Sequence, residues 1–163
     1  MSALCLQEVF APNSTCFGCG PANRDGLRIQ SFWEGNKAIC NWKPQQKYEA
    51  FQGYLNGGIA STLLDCHCNW AAIGYSHAQF AKQGRHTEEK SWTPPKTVTA
   101  ELKVDFVAPT STADEIAILA EVISAVGRRF EVAGLISVNK QVTVRCLAKF
   151  VAVKSDHPAH HRW

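Results

Sequence analysis

The chain has 163 residues, of which 45% are hydrophobic and 19% are charged, and its formal net charge is +3. This composition is typical of a globular domain and excludes a chain that is disordered throughout, because disorder requires few apolar residues and many charges. Its basic residues are scattered, which argues against a nucleic-acid partner, and no apolar run is long enough to cross a membrane. We therefore expect a single domain over residues 1–163.

The first quarter of the chain is predicted to be a loop followed by two strands. Residues 1–26 are rich in Gly, Pro and Asn and are predicted to form an N-terminal loop segment. Residues 27–33 and 37–42 have the β-branched and aromatic content of strands. No signal sequence is recognised, and the seven cysteines are an odd number. We therefore expect a reducing, cytoplasmic location rather than a disulfide-bonded protein.

A long helix is predicted from Gly58 to about Ser76. Its apolar residues repeat with the spacing of one helical face, and they are Ile59, Leu63, Cys66, Trp70 and Ile73. Further apolar and small residues widen this face, which indicates a helix that is buried. The polar, irregular segment 77–96 follows it.

The last third of the sequence alternates between apolar and polar residues, as half-buried strands do. Four strands are predicted, over residues 98–106, 116–126, 130–138 and 142–152, and residues 154–163 are expected to be a frayed tail. Since the order contains no βαβ repeat, a doubly wound parallel sheet is disfavoured. The prediction is an α+β domain in which an antiparallel sheet of about six strands wraps around one long central helix.

Three segments in this order carry a resemblance to a known family. They are CFGCGPANRDGLRI (16–29), F-x-G-x-x-N-G-G followed by an Asp seven residues later (51–65), and VTAELKVDFVAP (98–109). With the order of elements, they make the chain resemble the hotdog-fold thioesterase superfamily, and within it the PaaI-type acyl-CoA thioesterases. The resemblance implies an acyl-CoA substrate and a homodimer or homotetramer with active sites at the subunit interface.

The residues at the start of the predicted helix suit thioester hydrolysis on chemical grounds. Backbone N–H groups of Gly57 and Gly58 at a helix N-terminus can polarise a carbonyl and hold developing negative charge. Asp65 lies two helical turns later and can act as a general base or a nucleophile. The resemblance adds Thr99, which would serve Asp65 of the partner chain, and Asn56, which stands where the family usually has His. The alternatives are a tight turn at Gly57-Gly58, a buried structural carboxylate at Asp65 and a solvent-facing Thr99.

Further residues are candidates for substrate binding. The acyl group is expected beside the helix, near Tyr54, Leu55, Trp70 and the segment 77–96, and Asn69 would line the same pocket one turn after Asp65. Arg128 and Arg129 have the forked donors that suit the phosphates of coenzyme A, although a solvated hairpin end is an equal alternative.

The pair Cys16-x-x-Cys19 invites a metal site, but zinc needs two more ligands. Cys66, His67 and Cys68 are adjacent on the helix and should point in different directions. We therefore expect no metal and no cofactor apart from coenzyme A as part of the substrate, with both cysteines filling apolar space.

Two other functions stay open. A hotdog hydratase or dehydratase would pair a His with the acid, but His67 should point away from Asp65. A non-catalytic acyl-CoA binding protein would explain why Asn56 replaces the family's His.

Overall fold

The computed structural model describes residues 4–83 and 93–161, in which a six-stranded antiparallel sheet wraps around one long helix. The sheet order is β1-β2-β6-β7-β8-β5, and β3 pairs only with β4 in a small separate hairpin. The predicted α+β architecture is thus confirmed. The elements in chain order are α1 (Leu6–Phe10), β1 (Phe32–Glu34), β2 (Lys37–Trp42), β3 (Glu49–Phe51), β4 (Tyr54–Leu55), α2 (Gly57–Lys82), β5 (Thr97–Phe106), β6 (Ile116–Val126), β7 (Arg129–Val138) and β8 (Gln141–Ala152).

The first predicted strand is shorter in the structure than the sequence indicated. Only Phe32–Glu34 joins the sheet, whereas Leu27 and Ile29 are buried under the N-terminal segment. Their amides donate to the carbonyls of Phe17 (2.8 Å) and Gly18 (3.0 Å). These residues look like a strand in sequence because they are apolar, but loop backbone rather than a sheet neighbour satisfies their hydrogen bonds. Two short elements, α1 and the β3–β4 hairpin, lie in segments predicted to be loops.

The central helix α2 is 26 residues long and extends past the predicted end at Ser76 to Lys82. Its buried residues lie on several sides because the sheet curves around it, as the broad apolar face predicted. The sheet comes close to the helix at Gly134 of β7, where an added Cβ would lie 2.5 Å from the sulfur of Cys68. A glycine there lets the sheet pack directly on the helix. The described residues contain no helix long and apolar enough to cross a membrane.

A β-bulge in β5 changes which side chains face the helix. Unbroken alternation along this predicted strand would put Val98 and Ala100 on one face and Thr99 on the other. In the structure Thr99 pairs with Phe150 and Glu101 with Lys149, so Ala100 is an extra residue in the ladder. The bulge shifts the alternation by one residue. Thr99 before it faces α2, while Leu102 and Val104 after it pack against the core.

A buried polar network fastens the N-terminal segment to α2. The Ser31 hydroxyl donates to Nδ1 of His67 (2.8 Å), and Nε2 of His67 donates to the carbonyl of Ala38 (3.1 Å). Gln7 donates to the Ser31 hydroxyl (3.0 Å) and accepts from the Ser31 amide (2.9 Å). Burial lowers the pKa of His67 to about 4, so this histidine is neutral. All its hydrogen-bonding capacity is used within the fold.

The segment expected to be a frayed tail includes a 3-10 turn over Pro158–His161. The ammonium group of Lys96 donates to the carbonyl of His160 at 2.6 Å, which holds the turn against the start of β5.

Candidate active site along the central helix

Asn56 is the N-cap of α2. Its side-chain oxygen accepts hydrogen bonds from the backbone N–H groups of Gly58 (2.8 Å) and Ile59 (3.4 Å). Asn is among the best N-cap residues because it satisfies amides that have no partner within the helix. The Gly58 N–H, expected to polarise a substrate carbonyl, is therefore taken up by the protein itself in this structure.

Gly57 borders an apolar pocket at the same end of the helix. As the first residue of α2, it has an N–H that the helix itself does not use. The pocket encloses about 420 Å³, and the predicted residues Tyr54 and Leu55 line it together with Phe51 and Phe106. An added Cβ at Gly57 would lie 3.3 Å from the Phe106 ring. Apolar side chains thus surround one helix-terminal donor, an arrangement suited to an acyl chain ending in a carbonyl.

Asp65 and Thr99 are directly paired within one chain. The Thr99 hydroxyl donates to Oδ1 of Asp65 at 2.7 Å. The expectation that Thr99 serves the Asp65 of a partner chain is therefore wrong for this structure, because the bulge in β5 turns the hydroxyl toward the helix of its own chain. Burial raises the pKa of the Asp65 carboxyl and the thiol of Cys16 adds to that rise, while the hydrogen bond from Thr99 opposes it.

A second pocket, of about 380 Å³, opens beside Asp65. Asn69 lines this pocket and not the one formed by Tyr54 and Leu55, in which it was expected. Its amide oxygen accepts from the Thr97 hydroxyl, and its amide nitrogen donates to the Thr97 carbonyl at 3.4 Å. Cys16 and Cys66 line the pocket next to Asp65. The carboxylate accordingly faces a polar pocket that is distinct from the apolar one at the helix terminus.

The helix-terminal donor and the carboxylate lie too far apart to act on one thioester within a single chain. A helix rises about 1.5 Å per residue, so Asp65 lies about 12 Å beyond Gly57 along the axis of α2. Reacting groups must approach to about 3–3.5 Å. A single thioester cannot come this close to the Gly57 N–H and to the Asp65 carboxylate of the same chain. The helix-terminal glycine and the carboxylate that the sequence singled out are thus separated by the fold.

Three cysteine side chains converge beside Asp65. The sulfur atoms of Cys16, Cys19 and Cys66 all lie within 4.8 Å of one another. The expectation that Cys66, His67 and Cys68 point in different directions is confirmed. Cys66 nevertheless meets Cys16 and Cys19, because the N-terminal loop folds over its face of α2. His67 lies in the buried network described above and points away from Asp65, as predicted. Cys68 contacts Cys146 (3.5 Å) on the sheet side.

The thiols of this cluster are electrostatically unequal. Hydrogen bonds from the thiols of Cys19 and Cys66 lower the pKa of Cys16, the one exposed member. The same interactions raise the pKa of Cys66, and the hydrogen bond to Cys16 raises that of Cys19 to about 12. Of the three thiols, that of Cys16, which lines the pocket, is therefore the one that loses its proton most readily.

Other predicted binding residues lie elsewhere. Trp70 is buried, and its indole N–H donates to the sulfur of Cys19 at 3.2 Å. It lines a cavity of about 270 Å³ with Ile73, separate from the pocket of Tyr54 and Leu55. Arg128 donates to the carbonyl of Ala152 (3.3 Å) in the β6–β7 turn region. Arg129 lines a separate cavity of about 460 Å³ on the sheet, with Glu101 among its neighbours. Contact of either arginine with coenzyme A stays a prediction.

Comparisons with known proteins identify the fold. No family model and no curated protein matches the sequence. Among solved structures, a thioesterase superfamily protein from Shewanella loihica PV-4 is 25% identical and has a TM-score of 0.58, with 82% of this chain and 98% of that chain covered. The protein therefore has the hotdog fold of the thioesterase superfamily, as its motifs implied.

Two further neighbours share this fold at lower identity. The E. coli PaaI protein from the phenylacetic acid degradation operon is 13% identical with a TM-score of 0.62, covering 78% of this chain and 81% of that chain. The protein smu.793 from Streptococcus mutans UA159, solved bound to acetyl CoA, is 13% identical with a TM-score of 0.61, covering 77% and 88%. The predicted PaaI-like architecture is confirmed by these matches.

Proposed function

We propose that the protein is an acyl-CoA thioesterase, which hydrolyses an acyl-CoA to the carboxylic acid and free coenzyme A. The observation that carries this proposal is the Thr99–Asp65 hydrogen bond, which holds a half-buried carboxylate at the edge of a pocket. The fold, and the acetyl CoA bound to a structural neighbour, support an acyl-CoA as the substrate class.

In the proposed reaction Asp65 takes a proton from a water molecule that attacks the thioester carbon. The carbonyl oxygen becomes an oxyanion and accepts a hydrogen bond from the Gly57 N–H, whose position at the helix N-terminus favours negative charge. The tetrahedral intermediate then expels the coenzyme A thiolate, which takes up the proton from Asp65. Thr99 holds the carboxylate so that its second oxygen faces the pocket. Direct attack by Asp65, through an anhydride, is the alternative route to the same products.

The separation of Gly57 and Asp65 leads us to propose that two chains complete each site. Gly57 and its apolar pocket would come from one chain, and the pair of Asp65 and Thr99 from another. A two-fold symmetric dimer would form two such sites. Exposed apolar side chains near the helix N-terminus are consistent with an interface there, namely Phe51 (67% exposed) and Phe106 (58%).

The first test is a hydrolysis screen over short, long and aromatic acyl-CoAs with detection of the free thiol. We expect turnover by the wild type and its loss in Asp65→Asn, which keeps the size of the side chain but removes the base. Circular dichroism and light scattering check that fold and assembly are retained. Activity of Asp65→Asn within threefold of wild type would remove Asp65 from the mechanism.

The second test asks whether the site is shared between chains. Gly57→Pro removes the proposed donor at a position where proline suits a helix, and Gly57→Ala keeps the N–H while adding the same Cβ. We expect Gly57→Pro to be inactive and Gly57→Ala to retain activity. Unfolding and refolding a mixture of Gly57→Pro and Asp65→Asn chains should restore about a quarter of wild-type activity, since half of the dimers are mixed and one of their two sites is intact. No restoration would show that each site lies within one chain.

A non-catalytic acyl-CoA binding protein is the second candidate. It is favoured by the Asn56 side chain, which takes up the Gly58 amide that a carbonyl would otherwise use. This candidate predicts that the wild type binds acyl-CoA by calorimetry but releases no thiol from any acyl-CoA tested. The hydratase alternative is disfavoured, because the neutral His67 lies in the core network instead of beside Asp65.

A further inference from the structure

The three sulfurs beside Asp65 have the spacing of a metal site. Cys16 and Cys66 are 3.8 Å apart, and Cys19 lies within 4.8 Å of both. In tetrahedral thiolate sites the Zn–S distance of about 2.3 Å places neighbouring sulfurs about 3.8 Å apart. The distance between the sulfurs of Cys16 and Cys66 already has this value. Small rotations of the side chains would bring the sulfur of Cys19 to the same distance.

The loop that carries two of these cysteines is built to present both sulfurs to one point. The Gly20 amide donates to the carbonyl of Cys16 at 2.9 Å, which closes a tight turn over C-F-G-C-G. Any Cβ at Gly20 would lie 2.4 Å from the backbone nitrogen of Cys16, so only glycine fits the turn. A Cβ at Gly18 would lie 2.4 Å from the sulfur of Cys66, so the loop backbone runs close over that sulfur.

A hydrogen bond from outside the cluster also orients one sulfur. The indole N–H of Trp70, one turn after Cys66 on α2, donates to the sulfur of Cys19. Such donors stabilise metal-bound thiolates and fix their orientation. By contrast, Cys68 and Cys146 form a buried contact of only two sulfurs. A purely space-filling role for the three cysteines does not account for Cys16, which is exposed to the pocket.

We propose that Cys16, Cys19 and Cys66 bind one zinc-class divalent ion through three thiolates, with the fourth position open to the pocket of Asp65. Among residues 4–83 and 93–161 no fourth Cys, His, Asp or Glu joins the three sulfurs at this spacing, so water would complete the tetrahedron. The three thiols release their protons on binding. The ion joins the N-terminal loop to the central helix, and it replaces our sequence-based expectation of no metal.

The test uses the reduced 163-residue chain and needs no thioester substrate, so it is independent of the proposed hydrolysis. Protein purified without chelator is analysed for zinc, then stripped and titrated with Co²⁺ under anaerobic conditions. We expect one ion per chain, thiolate-to-cobalt charge-transfer absorption and the visible bands of tetrahedral Co²⁺. Loss of these signals on addition of Zn²⁺ gives the relative affinity.

Variants locate the site. Cys66→Ala and Cys16→Ser should each abolish stoichiometric binding, while Cys68→Ala, on the same helix but facing the sheet, should leave it intact. Adding Zn²⁺ should raise the melting temperature of the wild type and of Cys68→Ala, but not that of Cys66→Ala. Spectra of the folded wild type without charge-transfer absorption, or binding that survives both Cys16→Ser and Cys66→Ala, would overturn the proposal.

Discussion

Replacing Asn56 by Ala tests two roles of this residue separately, its contribution to the stability of the central helix and its effect on hydrolysis. The substitution removes the acceptor for the amides of Gly58 and Ile59. Loss of an Asn N-cap costs about 1 kcal/mol, within a range of about 0.5–2 kcal/mol. For a chain of this length that corresponds to a fall in melting temperature of about 2–4 °C. The cost is that of a solvent-exposed cap and not of a buried polar group, since Asn56 itself is exposed.

The same substitution should leave hydrolysis intact or raise it. With Asn56 gone, the Gly58 N–H is available beside that of Gly57, and a second donor to the oxyanion strengthens transition-state binding. Asn56→His, which restores the residue usual in the family, should behave similarly. The assay is calorimetric unfolding together with free-thiol release on the same preparations.

Asn56→Asp is the matched control. A carboxylate caps the helix as well as an amide does, and the helix dipole favours it, so stability should be retained or increased. A negative charge beside the developing oxyanion should nevertheless slow hydrolysis by about tenfold, or about 1.4 kcal/mol. An Asn56→Ala protein as stable as wild type would refute the capping assignment. An Asn56→Asp protein of unchanged activity would show that no oxyanion forms at this helix terminus.

Three further predictions follow from single contacts. Thr99→Val should lower kcat by about tenfold with the melting temperature unchanged, whereas Thr99→Ser should retain activity, because only the hydroxyl donates to Asp65. Ser31→Ala should cost about 1–3 kcal/mol in urea unfolding, since it removes the hydroxyl that partners Nδ1 of His67 and the side-chain amide nitrogen of Gln7, but kcat per folded molecule should not change. Gly134→Ala should cost a similar amount, about 1–3 kcal/mol, because the new Cβ would lie 2.5 Å from a sulfur of the central helix; unfolding that matches wild type would show that the helix can move away.

The sequence by itself determined the elements whose signal is local and repeated. The strands after the helix could be predicted because apolar and polar residues alternate with a period of two over ten or more residues. The helix came from an apolar face with helical spacing. Asp65, two turns after the glycine pair, could be singled out because an acid in an apolar helix is costly unless it is used or paired. These features depend on neighbours in the chain, which any reader of the sequence can see.

Tertiary structure decided which residues meet. The bulge at Ala100, which turns Thr99 toward Asp65, is set by pairing with β8 and leaves no mark in the alternation of β5 itself. Cys66 meets Cys16 and Cys19 only because a loop fifty residues earlier in the chain folds over the helix. Asn56 caps Gly58 because the extended backbone at the start of α2 brings its side-chain oxygen to that amide, which is then not left to a ligand. Contacts between distant segments depend on how whole elements pack, and a pattern within one segment does not contain that information.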